Sequence, residues 1–274
     1  MPVAPAPPVI PDHGPVRWSI SLRDTATCEV LHEHDPHQML TTASVAKVFA
    51  LVELAARAST GELDLREVVA RPPSRRVADS GLWQHLMADR LTLSDIAVLV
   101  AATSDNWATN VLIDRLTLEA VQDQARDLAP GGSTLHDYVR NVRTGDHPAT
   151  LSEGCADDWS RLLSDLAQGR CVDGQTSRQV RDWLALNTDL SMLASAFQLD
   201  PLAHTTPDLG LLLWNKTGTD TGVRADVGVV STGARSFSYA CLANWADDGS
   251  HEPRRTVQAT MRAVGEWALR ELRS

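Results

Sequence analysis

The stretch TASVAKVFAL, residues 42–51, places a serine and a lysine three positions apart at the start of an apolar, alanine-rich run. Three residues make nearly one turn of an α-helix, so Ser44 in a first turn would share a face with Lys47. The unpaired N–H groups and the positive dipole end of a helix N-terminus favour an oxyanion and help a nearby lysine to lose its proton. We therefore interpret Ser44 as a candidate nucleophile and Lys47 as its base, on a helix that runs to about Ala58.

Period-two patterns of apolar residues flank this helix on both sides along the chain. Residues 18–22 and 28–32 alternate in this way and predict a β-hairpin before the helix. After Pro207, apolar runs split by short turns predict an antiparallel meander, followed by a last helix from Pro253; these runs cover residues 210–214, 225–230 and 237–243. We predict an α/β domain with a five-stranded antiparallel sheet flanked by helices.

The middle of the chain has a different character, because its signals from about residue 61 to 205 are helical with short Pro- and Gly-marked loops. This pattern predicts an all-helical domain, residues 61–205, inserted into an α/β domain made of residues 16–60 and 206–274. Residues 1–15 contain six prolines and no periodic apolar pattern, which predicts an extended tail without regular structure. The helix that begins near Ser44 would lie at the junction, where clefts form.

Composition excludes several classes of partner. The chain has 274 residues, 43% of them hydrophobic, and a formal net charge of -10, and it lacks any run of Lys and Arg. We therefore expect no nucleic-acid partner and no membrane partner. The four cysteines are widely spaced and form no C-x-x-C pair, which is typical of thiols in a reducing compartment. Because the N-terminus lacks the pattern of a secretory signal, we expect a cytoplasmic protein.

Three short motifs occur in order along the chain: SVAK at residues 44–47, SDN at 104–106 and KTG at 216–218. Any one of them can occur by chance, but together they are much more specific. Their order, and the surrounding sequence Ser104-Asp105-Asn106-x-Ala108-x-Asn110-x-Leu112, resemble the serine β-lactamase and penicillin-binding protein superfamily, closest to its class A branch. The resemblance runs from about residue 17 to the C-terminus.

This resemblance implies a role for each polar group at the reacting bond. Ser44 would attack a carbonyl, and the backbone amides of Ser44 and Thr219 would bind the resulting oxyanion. Lys47 would accept the serine proton, either directly or through water. Ser104 would relay a proton to the leaving nitrogen or oxygen, with a helix cap as its alternative role.

The same resemblance implies a set of substrate-binding residues. Asn106 would hydrogen-bond a substrate amide, while Lys216 and Thr217 would offer a cation and a hydroxyl to a substrate carboxylate. Gly218 would let the strand edge approach the ligand closely. Arg224 either reinforces the anion site or is a surface arginine.

Aromatic and imidazole side chains give weaker signals. Trp83 occupies the position of a cleft-wall residue in the family, with packing in the core as its alternative. The three histidines His32, His34 and His37 suggest a metal site, because alternate residues of a strand share a face, but this spacing alone is weak evidence for one. We expect neither a metal nor another cofactor.

One departure from the family pattern concerns the second half of the reaction. Class A β-lactamases carry a glutamate, within a Glu-x-x-x-Asn arrangement, that activates the water that releases the acyl group. The nearest match here is Asp137 to Asn141, with a carboxylate one methylene shorter. A base must reach its water, so Asp137 is either a slow deacylation base or a loop and capping residue.

The motifs together predict a serine acyl-enzyme hydrolase or transacylase that acts on an ester, amide or lactam of a small molecule. The acyl group would pass to water or to an amine, as some members of the superfamily do in antibiotic assembly. Two alternatives remain open: a β-lactamase that hydrolyses β-lactam antibiotics, and a sensor that binds an acyl donor without turning it over. The expected partners are a small-molecule acyl donor and, for transfer, an amine acceptor.

Overall fold

The secondary structure surrounds one central helix. The computed structural model describes residues 6–11 and 14–274, and the described chain forms seven α-helices and ten β-strands. The helices are α1 (Lys47–Ser59), α2 (Leu93–Thr103), α3 (Asn106–Leu116), α4 (Leu118–Leu128), α5 (Ala156–Ala167), α6 (Gly174–Leu184) and α7 (Glu252–Arg273). The strands are β1 (Val16–Asp24), β2 (Val30–His34), β3 (Leu40–Thr41), β4 (Val68–Ala70), β5 (Arg90–Thr92), β6 (Thr134–Leu135), β7 (Ser152–Gly154), β8 (Leu212–Asp220), β9 (Val223–Ser231) and β10 (Ser236–Trp245).

The main sheet has five antiparallel strands in the order β2-β1-β10-β9-β8, which confirms the predicted fold class. The hairpin of β1 and β2 joins the C-terminal meander because β1 pairs with β10. Side chains of β10 alternate between two hydrophobic cores, with Ala240 and Leu242 in one and Tyr239 and Cys241 in the other. Both faces of the sheet are therefore covered, and β8 is left as an edge strand.

Helix α1 lies in the larger core. Its residues from Val48 to Val52 have no exposed surface, so the helix is buried on every side. The second core lies between the sheet and α7, and it includes Ile10 from the segment that precedes β1. In the part of the chain that the structure describes, no helix is both long and apolar enough to cross a bilayer.

The N-terminal tail prediction is only partly covered by the structure. Residues 6–11 have no regular structure, as expected from their prolines, although Ile10 is buried. For residues 1–5 and 12–13 the tail prediction lies outside the described residues.

The segment predicted to be all-helical, residues 61–205, contains α2 to α6 but also four short strands, β4 to β7. The prediction was wrong on this point. Strands of two or three residues are too short to produce a period-two pattern, and their pairing depends on distant chain segments. The pair β6 and β7 extends β3, which directly precedes the Ser44 turn, and the placement of the domain boundaries stays a prediction.

Candidate active site

Ser44 lies in a 3-10 turn, Ala43–Ala46, and helix α1 begins only at Lys47, so the predicted start of the helix was too early. A 3-10 turn brings residues i and i+3 onto one line, which keeps Ser44 and Lys47 on the same side. Ala43 has a φ of 48°, a left-handed conformation that costs energy for a residue with a Cβ. The strain is thus stored immediately before the candidate nucleophile.

Ser152 holds this strained backbone in place. Its hydroxyl donates to the Ala43 carbonyl oxygen at 2.7 Å and lies 2.8 Å from Thr42 Oγ1, and all three groups are buried. The Thr42 amide also donates to the Ser152 carbonyl oxygen. Sequence reasoning missed Ser152, because a serine in a three-residue strand carries no motif. Its position fixes the backbone of the Ser44 turn.

Lys47 is fully buried, and its ammonium meets the SDN motif. Nζ donates to the Ser104 carbonyl oxygen at 2.7 Å and to Asn106 Oδ1 at 2.8 Å, and it lies 3.2 Å from Ser104 Oγ. Ser104 adopts a left-handed conformation between α2 and α3, with φ of 55°, at the point where the chain turns. Among the described residues, no hydrogen bond joins Lys47 to Ser44. The amine thus lies within hydrogen-bond distance of the Ser104 hydroxyl, and Lys47 follows Ser44 by three residues, about one helical turn.

The electrostatic surroundings of Lys47 favour a neutral amine. Burial lowers the pKa of Lys47 well below its usual value, and the Lys216 ammonium lowers it further, while Asp105 and Asp79 act in the opposite direction. A neutral lysine amine can accept a proton from a hydroxyl. Lys47 therefore has the properties of a general base.

Asp105, the middle residue of the SDN motif, has a structural role. Its Oδ1 accepts from the Ala108 amide at 2.9 Å, which caps α3, and its Oδ2 accepts from the Trp83 amide at 2.7 Å. A Cβ at Gly81 would collide with the Asp105 side chain, so only glycine fits there. Asp105 thereby ties the loop before β5 to the start of α3.

Trp83 does not line the cleft, which corrects its predicted substrate-binding role. The side chain is fully buried, and its Nε1 donates to the Ala88 carbonyl oxygen at 2.9 Å. Its ring packs beside Trp107, with 6.3 Å between centroids. An indole that is buried with its N–H satisfied belongs to the core, because exposing it to a ligand would break both contacts.

Strand β8 brings the KTG motif against the Ser44 turn. A Cβ at Gly218 would collide with the Thr42 carbonyl oxygen and would lie 3.2 Å from the Ser44 amide nitrogen. The predicted reason for glycine here, close approach to a ligand, is therefore replaced by close approach to the neighbouring backbone. The contact places Thr219, one residue further along β8, beside Ser44.

The register of β8 and β9 directs the Thr219 amide into the cleft. Asp220 and Val223 are paired across a two-residue turn, and Thr219 is paired with Arg224. In an antiparallel ladder, residues alternate between bonding to the partner strand and pointing away from it, and the pair that closes a two-residue turn is bonded. The Thr219 N–H therefore points away from β9, towards the side on which Ser44 lies.

Lys216 is fully buried behind this edge, and its Nζ donates to the Thr217 carbonyl oxygen at 2.9 Å. Burial lowers the pKa of Lys216 to about 8, against the opposing effect of Asp189 and Asp226. The Thr217 side chain is 5% exposed and lines the cleft, and its hydroxyl has no hydrogen-bond partner among the described residues. Thr217 therefore offers a free hydroxyl to a ligand.

A buried polar network behind β8 was not predicted from the sequence. Asp226 is fully buried and accepts from Asn215 Nδ2 at 2.9 Å and from the Tyr239 hydroxyl at 3.2 Å; burial raises its pKa to about 6. Asn187 donates to Asn215 Oδ1 at 2.8 Å and also lines the cleft. The network therefore connects the cleft wall to a carboxylate that interacts electrostatically with Lys216. Isolated Asn and Asp residues in strands gave no sequence signal for it.

These elements enclose a cleft of about 600 Å³. The predicted site residues that line it are Ser44, Ser104, Asn106, Thr217 and Thr219, whereas Lys47 and Lys216 lie behind its wall. Arg224 is mostly buried and lines a neighbouring groove; its Nη1 donates to the carbonyl oxygens of Val223 and Asp220 at 2.7 and 3.0 Å. The structure thus brings the three motifs to one cleft.

The structure argues against Asp137 as the deacylation base. Its carboxylate accepts from Arg140 Nε at 2.6 Å, from Arg143 Nη1 at 2.9 Å and from the Tyr138 amide at 2.7 Å. Burial raises the pKa of Asp137, but these hydrogen bonds outweigh that effect and hold the pKa below its usual value. Asp137 does not line the cleft. A buried carboxylate with two guanidinium partners is a poor proton acceptor, so its role is to hold the loop.

Asn110 fixes which part of this loop faces the cleft. Its Oδ1 accepts from the Val139 amide at 2.9 Å, and its Nδ2 donates to the Val139 carbonyl oxygen at 2.9 Å. Segment 136–151 consequently presents Val139, Arg140, Asn141, Arg143 and Leu151 to the cleft, and none of these five carries a carboxylate. The acidic residues of the cleft wall come from elsewhere; they are Asp79, Asp189 and Asp220.

An antiparallel sheet, a buried helix behind a serine turn and the three motifs in one cleft define the class of serine β-lactamases and penicillin-binding proteins. A sequence profile described as "Beta-lactamase enzyme family" matches residues 9–272, so the chain belongs to the β-lactamase enzyme family. The predicted resemblance is thereby confirmed, and the protein is an active-site serine enzyme. No curated protein matches the chain.

Solved structures share the fold. A β-lactamase from Sphaerobacter thermophilus aligns with a TM-score of 0.80 at 22% identity over 94% of this chain and 92% of that one. PBP-A aligns with a TM-score of 0.75 at 18% identity over 96% and 93%. A class A β-lactamase from Mycobacterium abscessus aligns with a TM-score of 0.73 at 20% identity over 94% of each chain. These similarities establish a shared fold across nearly the whole chain.

Proposed function

We propose that the protein transfers the acyl group of a small ester, amide or lactam through a covalent intermediate on Ser44. The Ser44 hydroxyl oxygen forms a bond to the carbonyl carbon, its proton passes to Lys47, and the bond to the leaving group breaks. Ser104 returns the proton to the leaving nitrogen or oxygen. The amides of Ser44 and Thr219 bind the oxyanion that forms between these two events.

The observation that carries this proposal is the placement of the Lys47 amine. A buried amine with a lowered pKa, held between Ser104 and Asn106, forms a proton path beneath the cleft that contains Ser44. A lysine that served only the fold would not be expected to occupy a site where burial disfavours its charge. This arrangement supports acylation of the serine.

We propose that the second step, hydrolysis of the acyl-enzyme by water, is slow. A deacylation base must lie within hydrogen-bond reach of the attacking water. Segment 136–151 supplies no carboxylate to the cleft, since Asp137 is held by Arg140 and Arg143. An acyl-enzyme that resists water is available to an amine acceptor, which favours transfer over hydrolysis.

Hydrolysis of β-lactam antibiotics is the second candidate. The family description favours it, and a mutant of the structural relative PBP-A is described as an acyl-enzyme complex with penicillin G. In this case Asp79, Asp189 or Asp220 of the cleft wall would have to position the water.

Intact-protein mass spectrometry with penicillin G separates these candidates. We expect a mass increase equal to the whole drug, located on the peptide that contains Ser44 and stable for many minutes. Addition of simple amines should shorten its lifetime if the enzyme is a transferase. A transient adduct with continuous release of hydrolysed drug would support the β-lactamase, and the absence of an adduct with β-lactams and activated esters alike would reject the acyl-enzyme.

Acylation by penicillin G is expected to fall as the pH rises through about 8. The carboxylate of the drug needs a charged Lys216, whose pKa is lowered to about 8, and the ammonium is present below that pKa and lost above it. Lys216→Arg should keep its charge and move this decline to higher pH. The measurement is the second-order acylation rate across pH, with an activated ester that lacks a carboxylate as the control. A decline of equal size with that ester would assign it to another group.

A further inference from the structure

The catalytic cleft continues into a second cavity past the end of β8. The neighbouring groove has a volume of about 480 Å³. Three residues line both cavities, namely Asp79, Thr219 and Asp220. Two of the three are aspartates, so a ligand that extends from the cleft into the groove passes between two carboxylates.

These two carboxylates form no ion pair within the described part of the chain. Asp79 and Asp220 are exposed, and among the described residues neither takes part in an ion pair; the Asp220 carboxylate accepts from the Thr221 amide at 2.7 Å and interacts electrostatically with Arg224. At the other end of the cleft, Arg140 and Arg143 are already paired with Asp137. The residues that line both cavities therefore include two carboxylates and no cation.

The nearby cations lie in the groove or behind the cleft wall. Arg224 and Arg254 line the groove but not the cleft, and Arg224 directs its Nη1 to two backbone carbonyl oxygens. Lys216 is buried behind β8 and interacts electrostatically with Asp189 and Asp226. Asp79, by contrast, carries its charge at the cleft surface.

The position of the two aspartates relates them to a bound acyl group. Asn106, the proposed contact for a substrate amide, donates to the carbonyl oxygen of Ala78, the residue before Asp79. Thr219, the proposed oxyanion donor, directly precedes Asp220. A substituent attached beside the reacting carbonyl would thus have Asp79 on one side and Asp220 on the other.

A second, independent feature of the same cleft indicates a ligand with an anionic end. The Thr217 hydroxyl lacks a partner although its side chain is 95% buried, and the Lys216 ammonium lies behind it. A hydroxyl at a cleft wall that has no protein partner is available to a ligand. The cleft therefore combines a site for an anion at Thr217 with carboxylates at its other edge.

We propose that the acyl donor is zwitterionic: its carboxylate binds at Thr217 and Lys216, and an ammonium or guanidinium on its acyl side binds between Asp79 and Asp220. This proposal rests on the proposed function, because it names the substrate class of the same site. The aspartates act on specificity and take no part in the bond changes at Ser44.

Ampicillin and penicillin G form a matched pair of probes, since ampicillin differs only by an amino group on the side-chain carbon next to the amide. We expect Ser44 to be acylated about tenfold faster by ampicillin, at a pH where its amine is charged, and the ratio to decrease with added salt. The double variant Asp79→Asn and Asp220→Asn should bring the ratio close to one. Asp127→Asn, an exposed aspartate on α4, is the control and should retain the wild-type ratio.

The outcomes separate this proposal from the proposed function. Acylation by both drugs at equal rates, or a ratio that the double variant leaves unchanged, would overturn the zwitterionic donor and leave the acyl-enzyme intact. Failure of both drugs and of activated esters to label Ser44 would overturn the proposed function and this proposal with it. Thermal unfolding of each variant checks that the fold is retained.

Discussion

Replacing Lys47 with methionine is expected to lower the rate of Ser44 acylation by about 10³-fold, which lies within the range that general-base catalysis contributes. Methionine fills a similar volume and removes only the amine. Removing a buried amine favours folding, whereas the Ser104 carbonyl oxygen and Asn106 Oδ1 lose their donor, so the two effects on stability oppose each other. The measurement is the second-order rate of adduct formation with penicillin G, followed by mass spectrometry.

Lys47→Arg is the matched control for this prediction. A guanidinium keeps the positive charge and donates hydrogen bonds, but it does not lose a proton in proteins. If Lys47 acts as a base, the arginine variant should be as slow as the methionine variant. If arginine restores the rate to within about tenfold of wild type, the lysine acts through its charge and the base assignment is wrong. Unfolding temperatures of both variants must stay near that of the wild type for the comparison to hold.

Introducing a carboxylate at Val139 is expected to convert slow deacylation into turnover. Val139 lines the cleft, and Asn110 bonds both its amide and its carbonyl, so its backbone position does not depend on its side chain. A glutamate there would reach into the cleft that contains Ser44. A positioned general base contributes at least about 10²-fold, so Val139→Glu should hydrolyse the penicillin G adduct on the order of 100-fold faster.

The variant Val139→Gln distinguishes general-base catalysis by the new carboxylate from an effect of side-chain size. Glutamine has the size of glutamate but cannot accept the proton of a water molecule, so the adduct should stay long-lived in this variant. Loss of the adduct should follow single-exponential kinetics after excess drug is removed, with hydrolysed drug as the product. Equal acceleration of deacylation by glutamate and glutamine would show that the substitution acts through the conformation of the loop. No acceleration by either would indicate that another carboxylate already activates the attacking water.

Both predictions depend on a distinction between the two halves of the reaction. In the proposed mechanism, acylation depends on Lys47, Ser104 and Asn106, and Lys47 contacts the other two directly. Deacylation needs a water and a base, and the loop 136–151 directs the carboxylate of Asp137 into a pair of arginines and away from the cleft. The proposed acylation therefore relies on residues of this chain, whereas deacylation depends on whether water or an amine acceptor enters the cleft.

Sequence patterns were sufficient for the regular elements of the main sheet. The alternation in residues 18–22 and the apolar runs after Pro207 predicted strands because one or both faces of each strand are buried over several residues. Strands β4 to β7 were missed because two or three residues carry no period. Their existence depends on partners that are distant in the sequence.

Several site residues could be found only from the structure. Ser152 supports the Ser44 turn across 109 positions of sequence separation, and Asp226 meets Asn215 only because β8 and β9 pair in one register. Trp83 and Asp137 were identified from their sequence positions relative to the family pattern. The burial of Trp83 and the hydrogen-bond partners of Asp137 argue against the functional roles considered for them. Local sequence does not determine the direction of a side chain in the folded protein, because that direction depends on contacts with segments that are distant in the sequence.

The sequence alone determined the class of chemistry. A serine and a lysine one turn apart, together with the SDN and KTG motifs, require only local spacing and order along the chain. The tertiary structure decided what surrounds Ser44: the buried state of Lys47, the free hydroxyl of Thr217 and the carboxylates of Asp79 and Asp220 at the cleft edge. Burial and charge arise from segments that meet only after folding, so the pKa of the base and the charge of the substrate site are properties of the fold.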